Sequence, residues 1–240
     1  MGIMDLPVFP PAHGIPEDSV DISLVLHSPL VKEIRCFALG PEGTNMVQAC
    51  RRWISRMGIG VKANIALCET PESSIRAARA VAGKNVLCVF WTCAVFDREF
   101  DIFFGNPGSY PFFSQEIMDL DEMQLATREE LVKAWTHDRF PATWKVSTHP
   151  SPSVLLRQLH CEAVLVRSNA EAAIVCAKGE TEGCITTESA RAIHGLIKIH
   201  SFGSPRMVFF VGITEEGAEL VREVYAGIRH RPERTCSMAK

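Results

Sequence analysis

The sequence predicts an α/β fold made of two lobes. Apolar segments typical of buried strands alternate with segments of helical periodicity, first over residues 33–91 and again over residues 145–228. This repeated strand-helix-strand order implies parallel sheets with right-handed crossovers. An aromatic, glycine-containing segment at 95–115 separates the two runs, and we interpret it as the crossing from one lobe to the other. With 240 residues, the chain is long enough for two such lobes.

The first run follows an N-terminal segment that contains several prolines. We interpret residues 1–19 as irregular and predict a short strand at 21–27, where polar and apolar residues alternate. Thr70 suits the N-cap of a helix, because its hydroxyl can accept a hydrogen bond from a free backbone N–H. The predicted elements of this run are strands at 33–39, 63–67 and 86–91, and helices at 45–57 and from Thr70 onward.

The second run contains the remaining elements. They are predicted strands at 145–148, 163–166, 184–186, 197–200 and 208–213, and helices at 151–159, 169–177, 188–194 and 215–228. We divide the chain into an N-terminal extension (1–32), one lobe formed by 33–110 with 192–240, and a second lobe formed by 111–191. Ligands of such folds bind at the carboxyl ends of strands, so we expect the site in the cleft between the lobes.

Composition excludes several classes of function. Acidic and basic residues are mixed and the net charge is -3, so we expect no nucleic-acid partner. No apolar stretch is long enough to span a membrane, and the N-terminus lacks the basic and apolar regions of a signal peptide. The nine cysteines form no C-x-x-C pair, which favours reduced thiols in a cytoplasmic protein and argues against a metal site.

Three turns between a strand and a helix are candidate parts of a site. The first is Gly40-Pro41-Glu42-Gly43-Thr44, where Gly43 allows a ligand to approach the backbone closely. The following helix offers free N–H groups to an anion, and Thr44 and Asn45 add side-chain donors. The spacing alone leaves a purely structural turn as an equal alternative.

The second and third turns carry hydroxyl groups at the start of a helix. Thr148, His149 and Ser151 lie between a predicted strand and a predicted helix, and we interpret this turn, together with the first, as anion-binding. N-capping by Ser151 accounts for part of the pattern, and His149 is explained equally well by stabilisation of its own turn. Thr186 and Thr187 form the third turn, where a plain N-cap is again the alternative.

These turns resemble the motifs of one enzyme family. Gly40 to Thr44 resembles the G-P-E-G-T turn of prephenate dehydratases, and Thr148-His149-Pro150-Ser151 resembles their S-H-P-Q motif. Residues 172–190, from Ala172-Ala173-Ile174 through 185–190, resemble the stretch ending in A-I-A-S-x-x-A-A. The motifs occur in the family order within roughly 33–213. The resemblance implies a catalytic domain with a type 2 periplasmic-binding-protein core, without the family's regulatory ACT domain. It also implies a small-molecule substrate, prephenate, and we expect a homodimer.

The sequence departs from the dehydratases at two places. Their late T-R-F motif supplies a threonine thought to help the ring hydroxyl leave, but the corresponding segment here is Pro205-Arg206-Met207-Val208. Their E-N-S cluster after the third strand is replaced by Trp91-Thr92-Cys93. The non-aromatising prephenate decarboxylases, such as that of the bacilysin antibiotic pathway, also lack the threonine. Their serine-histidine-proline-serine-proline string is similar to residues 149–152, and their late asparagine-glutamate-leucine-alanine-arginine run is similar to residues 187–191.

The resemblance therefore implies decarboxylation of prephenate to a dihydro-4-hydroxyphenylpyruvate, without metal or organic cofactor. Arg206 would clamp a carboxylate unless it is a surface arginine, and His149 would bind a carboxylate or deliver a proton. The candidate catalytic residues are thus Arg206 and His149, and the candidate substrate-binding residues are Gly43, Thr44, Asn45, Trp91, Thr92, Thr148, Ser151, Thr186, Thr187 and Met207.

Two other functions fit the same sequence. A dehydratase would give phenylpyruvate from prephenate, or phenylalanine if the substrate were arogenate. A non-catalytic module that binds a small acid is favoured by the replacement of two polar clusters of the family.

Overall fold

The computed structural model describes residues 22–40, 42–96, 98–106, 108–135, 143–159 and 161–229. The strands are β1 (Glu33–Leu39), β2 (Ala63–Cys68), β3 (Val86–Cys93), β4 (Ser109–Asp119), β5 (Met123–Thr127), β6 (Lys145–Thr148), β7 (Glu162–Leu165), β8 (Gly183–Thr187), β9 (Ile197–Gly203) and β10 (Arg206–Thr214). The α-helices are α1 (Ile22–Leu26), α2 (Asn45–Arg56), α3 (Pro71–Ala80), α4 (Glu99–Gly105), α5 (Val132–Trp135), α6 (Asn169–Ala177), α7 (Glu188–Ile193) and α8 (Glu215–Arg229). Short 3₁₀ helices occupy Glu129–Leu131 and Ser151–Gln158.

The chain divides into two compact units, each built on a five-stranded sheet. Among the described residues, unit 1 contains 22–94, 98–117 and 208–229, and unit 2 contains 118–207 with residues 95–96. Both sheets are mixed and carry helices, so the predicted α/β class is confirmed.

The sheet of unit 1 has the strand order β2-β1-β3-β10-β4. β1 pairs in parallel with β2 and β3, whereas β10 runs antiparallel to β3. Large aromatic side chains fill the core around β3, including Trp53, Phe90 and Trp91, which are all fully buried. The carboxyl ends of the three parallel strands therefore meet at one edge of this sheet, where α2 and α3 begin.

The sheet of unit 2 has the strand order β7-β6-β8-β5-β9. β6 pairs in parallel with β7 and β8, and β5 runs antiparallel to both β8 and β9. Small residues pack against α6 on one side, whereas larger side chains such as Leu125, Trp135 and Ile185 form a second cluster. The carboxyl ends of β6, β7 and β8 again share one edge, and the helical segments after them begin there.

Several local predictions were wrong. Residues 22–26 form α1 instead of a strand, and the adjacent residues Val25 and Leu26 are both buried, which a strand with alternating faces would prevent. The helix predicted at 151–159 is present as a 3₁₀ helix over Ser151–Gln158. The 95–115 segment holds α4 and the start of β4, and neither β4 nor β5 was predicted.

The unit boundaries also differ from the predicted lobes. Unit 1 extends to residue 117 instead of 110, because β4 continues in its sheet. Unit 2 extends to residue 207 instead of 191, because β9 pairs with β5.

Candidate functional site

The turn after β1 in unit 1 is held mainly by its own hydrogen bonds. Gly43 has φ of 84°, a left-handed conformation that favours glycine. Thr44 is the N-cap of α2: its hydroxyl accepts from the N–H of Val47 at 3.3 Å and donates to the carbonyl of Leu39 at 3.0 Å. Asn45, the first residue of α2, is half-buried. Because the Thr44 proton is already donated, any anion at this turn would depend on backbone N–H groups and Asn45.

This cap gives a direct stability prediction. We expect Thr44→Val to lower the free energy of unfolding by about 1 kcal/mol, because it removes the hydroxyl that caps α2 while keeping a side chain of similar shape. Thr44→Ser keeps the hydroxyl and serves as the matched control. Urea unfolding of both variants measures the difference, and equal midpoints would contradict the capping role.

The carboxyl end of β3 brings Thr92 together with Glu99. Thr92 is fully buried, and its hydroxyl donates to Oε2 of Glu99, the first residue of α4. The other carboxyl oxygen, Oε1, is buried and has no hydrogen-bond partner among the described residues. Burial raises the pKa of Glu99, while the Thr92 hydrogen bond acts in the opposite direction and is the smaller effect. Unit 1 therefore holds a half-buried carboxyl group whose pKa is raised above that of an exposed glutamate.

Trp91 packs into the apolar core on the other face of β3. Its ring is fully buried and meets the ring of Trp53 edge-to-face, with centroids 5.7 Å apart. The indole Nε1 is buried without a hydrogen-bond partner among the described residues. An unpaired buried donor is uncommon in native proteins, so this position could accept a ligand oxygen or a water molecule.

The turn after β6 in unit 2 also satisfies its own polar groups. Thr148 is fully buried and donates its hydroxyl proton to the carbonyl of His149 at 3.0 Å. The N–H of Ser151 donates to Nδ1 of His149 at 3.3 Å, and the hydroxyl of Ser151 donates to the carbonyl of Val95 at 3.1 Å. Since Nδ1 acts as an acceptor, the proton of the neutral imidazole is on Nε2. These contacts match the alternative in which His149 stabilises its own turn.

The threonines after β8 are engaged in a similar way. Thr186 is fully buried and donates to the backbone carbonyl of Asn169, the first residue of α6, at 2.7 Å. Thr187 caps α7 by accepting from the N–H of Ala190 at 3.4 Å. Asn169 is half-buried, and its side-chain oxygen is enclosed without a partner among the described residues. Sequence reasoning missed Asn169, which lies near Thr186 only because α6 packs against β8.

Arg206 and Met207 begin β10. The Arg206 side chain is 74% exposed, and its Nε lies 3.2 Å from Oδ1 of Asp119, which is also exposed. This placement fits the surface-arginine alternative, and a role as a carboxylate clamp stays a prediction. Met207 is half-buried.

The candidate residues thus fall into separate groups. The edge of unit 1 brings together Thr44, Trp91 and Thr92, and the edge of unit 2 brings together Thr148, His149 and Thr187. Glu99 was missed because it lies within the aromatic segment that we interpreted as a crossing, where nothing in the sequence distinguishes it from the neighbouring Asp97 and Asp101. Within the described residues, no helix has the length and apolarity that membrane spanning requires. No group of metal ligands is found in the same part of the chain.

The chain matches no family model and no curated protein. Among solved structures, a prephenate dehydratase from Staphylococcus aureus subsp. aureus Mu50 is 14% identical, with a TM-score of 0.44 over 75% of this chain and 66% of that one. A quorum-quenching acylase is 15% identical, with a TM-score of 0.45 over 76% of this chain and 64% of that one. A protein of R. palustris with bound adipate is 10% identical, with a TM-score of 0.51 over 82% of this chain and 81% of that one.

These comparisons establish the fold alone. The chain spans slightly less than two thirds of the dehydratase and acylase chains, 66% and 64%. Periplasmic domains and periplasmic solute-binding proteins are among the other matching structures. The α/β class predicted from the sequence is confirmed, and the two-unit fold is similar to that of periplasmic-binding-protein-like structures. A fold alone does not decide between an enzyme and a binding protein.

Proposed function

We propose that this protein is a cofactor-independent prephenate decarboxylase that removes carbon dioxide without forming an aromatic ring. The observation that carries the proposal is the replacement of the dehydratase threonine by Pro205-Arg206-Met207, within a chain that has segments resembling three other motifs of the family in the family order. Arg206 points to solvent and pairs with Asp119, so it is not a proton donor in the position of that threonine.

Whether the ring of prephenate becomes aromatic depends on which atom receives a proton. Prephenate carries a carboxylate on a quaternary ring carbon and a hydroxyl at the opposite end of the ring. When an acid protonates the hydroxyl, water and carbon dioxide leave together and the ring becomes aromatic. Without that acid, carbon dioxide leaves alone, its electron pair enters the ring, and a ring carbon takes up a proton while the hydroxyl stays.

The residues of unit 1 suit the loss of carbon dioxide. Decarboxylation converts a charged carboxylate into a neutral molecule, and an apolar surrounding favours that change. Trp91 contributes apolar surroundings near the end of β3, and its buried Nε1 has no hydrogen-bond partner among the described residues. In unit 2, α6 begins at the edge where β6, β7 and β8 end. Ser168 caps the N–H of Glu171, so an anionic group would bind there through the earlier N–H groups of Asn169 and Ala170.

A product assay tests the proposal. We expect the protein to release carbon dioxide from prephenate and to yield a keto acid that keeps the ring hydroxyl, detected by mass and by the absence of an aromatic spectrum. Phenylpyruvate as the main product would instead identify a dehydratase. Arogenate in a parallel assay shows whether the keto group or the amino group of the side chain is recognised.

A binding module for a small organic acid is the second candidate. It is favoured because the hydroxyl groups of the candidate turns already donate to backbone carbonyls of the protein. These are the hydroxyls of Thr44, Thr148, Ser151 and Thr186. A site of this kind would hold its ligand mainly through backbone N–H groups. A rise in melting temperature with prephenate, without turnover, would support binding over catalysis.

We also propose a cytoplasmic location and a homodimer. All eight cysteines within the described residues are free thiols, which is typical of a reducing compartment.

A further inference from the structure

The carboxyl group of Glu99 is unusual among the acidic side chains of the described residues. Oε2 accepts the hydroxyl hydrogen of Thr92, whereas Oε1 is enclosed and has no partner there. The neighbouring cation Arg98 forms ion pairs with Asp101 at 2.7 Å and with Glu72 at 3.7 Å. Burial raises the pKa of Glu99, and Oε1 is the carboxyl oxygen that has no hydrogen-bond partner among the described residues.

This carboxyl group lies at the edge where a ligand of unit 1 is expected. The parallel register sets Phe37 opposite Phe90, and two further residues along each strand bring Leu39 level with Thr92. The carbonyl of Leu39 accepts the hydroxyl of Thr44, so the Thr92–Glu99 pair and the turn before α2 lie at the same end of adjacent strands. The ion pair between Arg98 and Glu72 also brings the start of α4 close to the start of α3.

Thr92 fixes the orientation of the carboxyl group. As a fully buried residue within β3, it holds Oε2 through a hydrogen bond and leaves Oε1 as the carboxyl oxygen without a partner among the described residues. A carboxyl group whose pKa is raised by burial and whose orientation is fixed by a hydrogen bond is suited to general acid catalysis.

We propose that Glu99 delivers the proton that a ring carbon of the substrate takes up when carbon dioxide leaves. The inference rests on the decarboxylation proposed above and names its proton source. The bond between the ring and the carboxylate carbon breaks, its electron pair moves through the ring diene, and a new C–H bond forms with the proton of Glu99 Oε1. The resulting carboxylate regains a proton from water, so no oxidant, reductant or further reactant is needed.

The test compares Glu99→Gln with the wild-type protein on prephenate, in water and in deuterium oxide. The amide has nearly the same shape and cannot supply the proton, so we expect kcat to fall by about 100-fold or more. The wild-type product should carry deuterium on one face of one ring carbon, whereas the residual product of Glu99→Gln should carry it on both faces. A purely structural role would not change which face is labelled.

Two further variants complete the test. Asp101→Asn removes another negative charge from α4 and is the matched control, with kcat expected to stay at the wild-type value. Thr92→Val removes the hydrogen bond that orients Glu99 and should lower kcat to an intermediate value. If Glu99→Gln does not fold, Thr92→Val decides: a lowered kcat at wild-type melting temperature supports the inference, and an unchanged kcat overturns it.

The possible failures can be told apart. If the wild-type protein leaves prephenate unchanged or makes phenylpyruvate, the proposed function is wrong and the inference falls with it. If the wild-type protein decarboxylates prephenate and Glu99→Gln keeps its kcat and its deuterium placement, the inference alone is overturned.

Discussion

Replacing Trp53 by alanine is expected to lower the free energy of unfolding by about 3–5 kcal/mol. Trp53 lies on α2, is fully buried, and meets Trp91 of β3 edge-to-face at 5.7 Å. Its Nε1 donates to the hydroxyl of Ser114 on β4 at 3.1 Å, so one side chain connects a helix with two strands of unit 1. Truncation would leave a cavity beside Trp91 and remove this hydrogen bond. Urea unfolding followed by circular dichroism measures the loss.

Two controls separate packing from hydrogen bonding. Trp53→Phe keeps most of the buried ring and loses the donor, so it should cost clearly less than alanine. Ser114→Ala removes the acceptor alone, and we expect about 1–3 kcal/mol, because it leaves the indole N–H buried and unpaired. A loss below about 1 kcal/mol for Trp53→Ala would mean that α2 does not depend on this contact.

The repeated strand-helix order of unit 1 could be predicted from sequence, because each signal is local. The buried strand at Glu33–Leu39 and the helix of Asn45–Arg56 are visible in hydrophobic periodicity, and Thr70 and Pro71 mark the start of α3 within a few residues. The strands β4 and β5 were not predicted. β4 spans Ser109–Asp119 and begins directly after α4, so its aromatic residues resembled a linker more than a strand.

For the candidate site, only the positions of the turns along the chain could be predicted from the sequence. The turns at Gly43–Thr44, Thr148–Ser151 and Thr186–Thr187 lie at strand ends, as expected. Their hydrogen-bond partners could not be predicted, because a hydroxyl in a turn serves a ligand or its own backbone with the same sequence signal. The role of Glu99 could not be predicted for a different reason. Its contact with Thr92 depends on the path of the chain between β3 and α4, and hydrophobic periodicity carries no information about that path.

Hydrogen bonding also ranks the candidate residues. Residues whose hydroxyl already donates to the backbone rank below residues whose polar atom has no partner. Thr44, Thr148 and Thr186 each donate to a backbone carbonyl, so their substitution should affect stability before it affects ligand binding. Glu99 Oε1 and Trp91 Nε1 have no such partner among the described residues, so a ligand gains more from them. Unit 1 therefore holds two polar groups that can still form a hydrogen bond with a ligand.

Gly212→Ala is expected to destabilise unit 1 by about 1–3 kcal/mol or more, the cost of forcing an extra methyl group into a packed core. Gly212 lies in β10 directly opposite Phe90 of β3. A β-carbon at this position would lie 2.2 Å from Cζ and 2.4 Å from Cε2 of the Phe90 ring. Because Phe90 is fully buried, its ring has little room to move aside. Differential scanning calorimetry should show a lower melting temperature.

A second substitution tests whether the clash with Phe90 is the cause. Phe90→Leu in the Gly212→Ala background shortens the opposing side chain, and the two changes together should cost less than the sum of the two alone. Gly227→Ala is the matched control, because the added β-carbon meets no atom within 4 Å in α8. It should raise the free energy of unfolding by about 0.4–1 kcal/mol through the helix preference of alanine. Additive costs for Phe90→Leu and Gly212→Ala would show that the glycine is required for some reason other than the aromatic ring beside it.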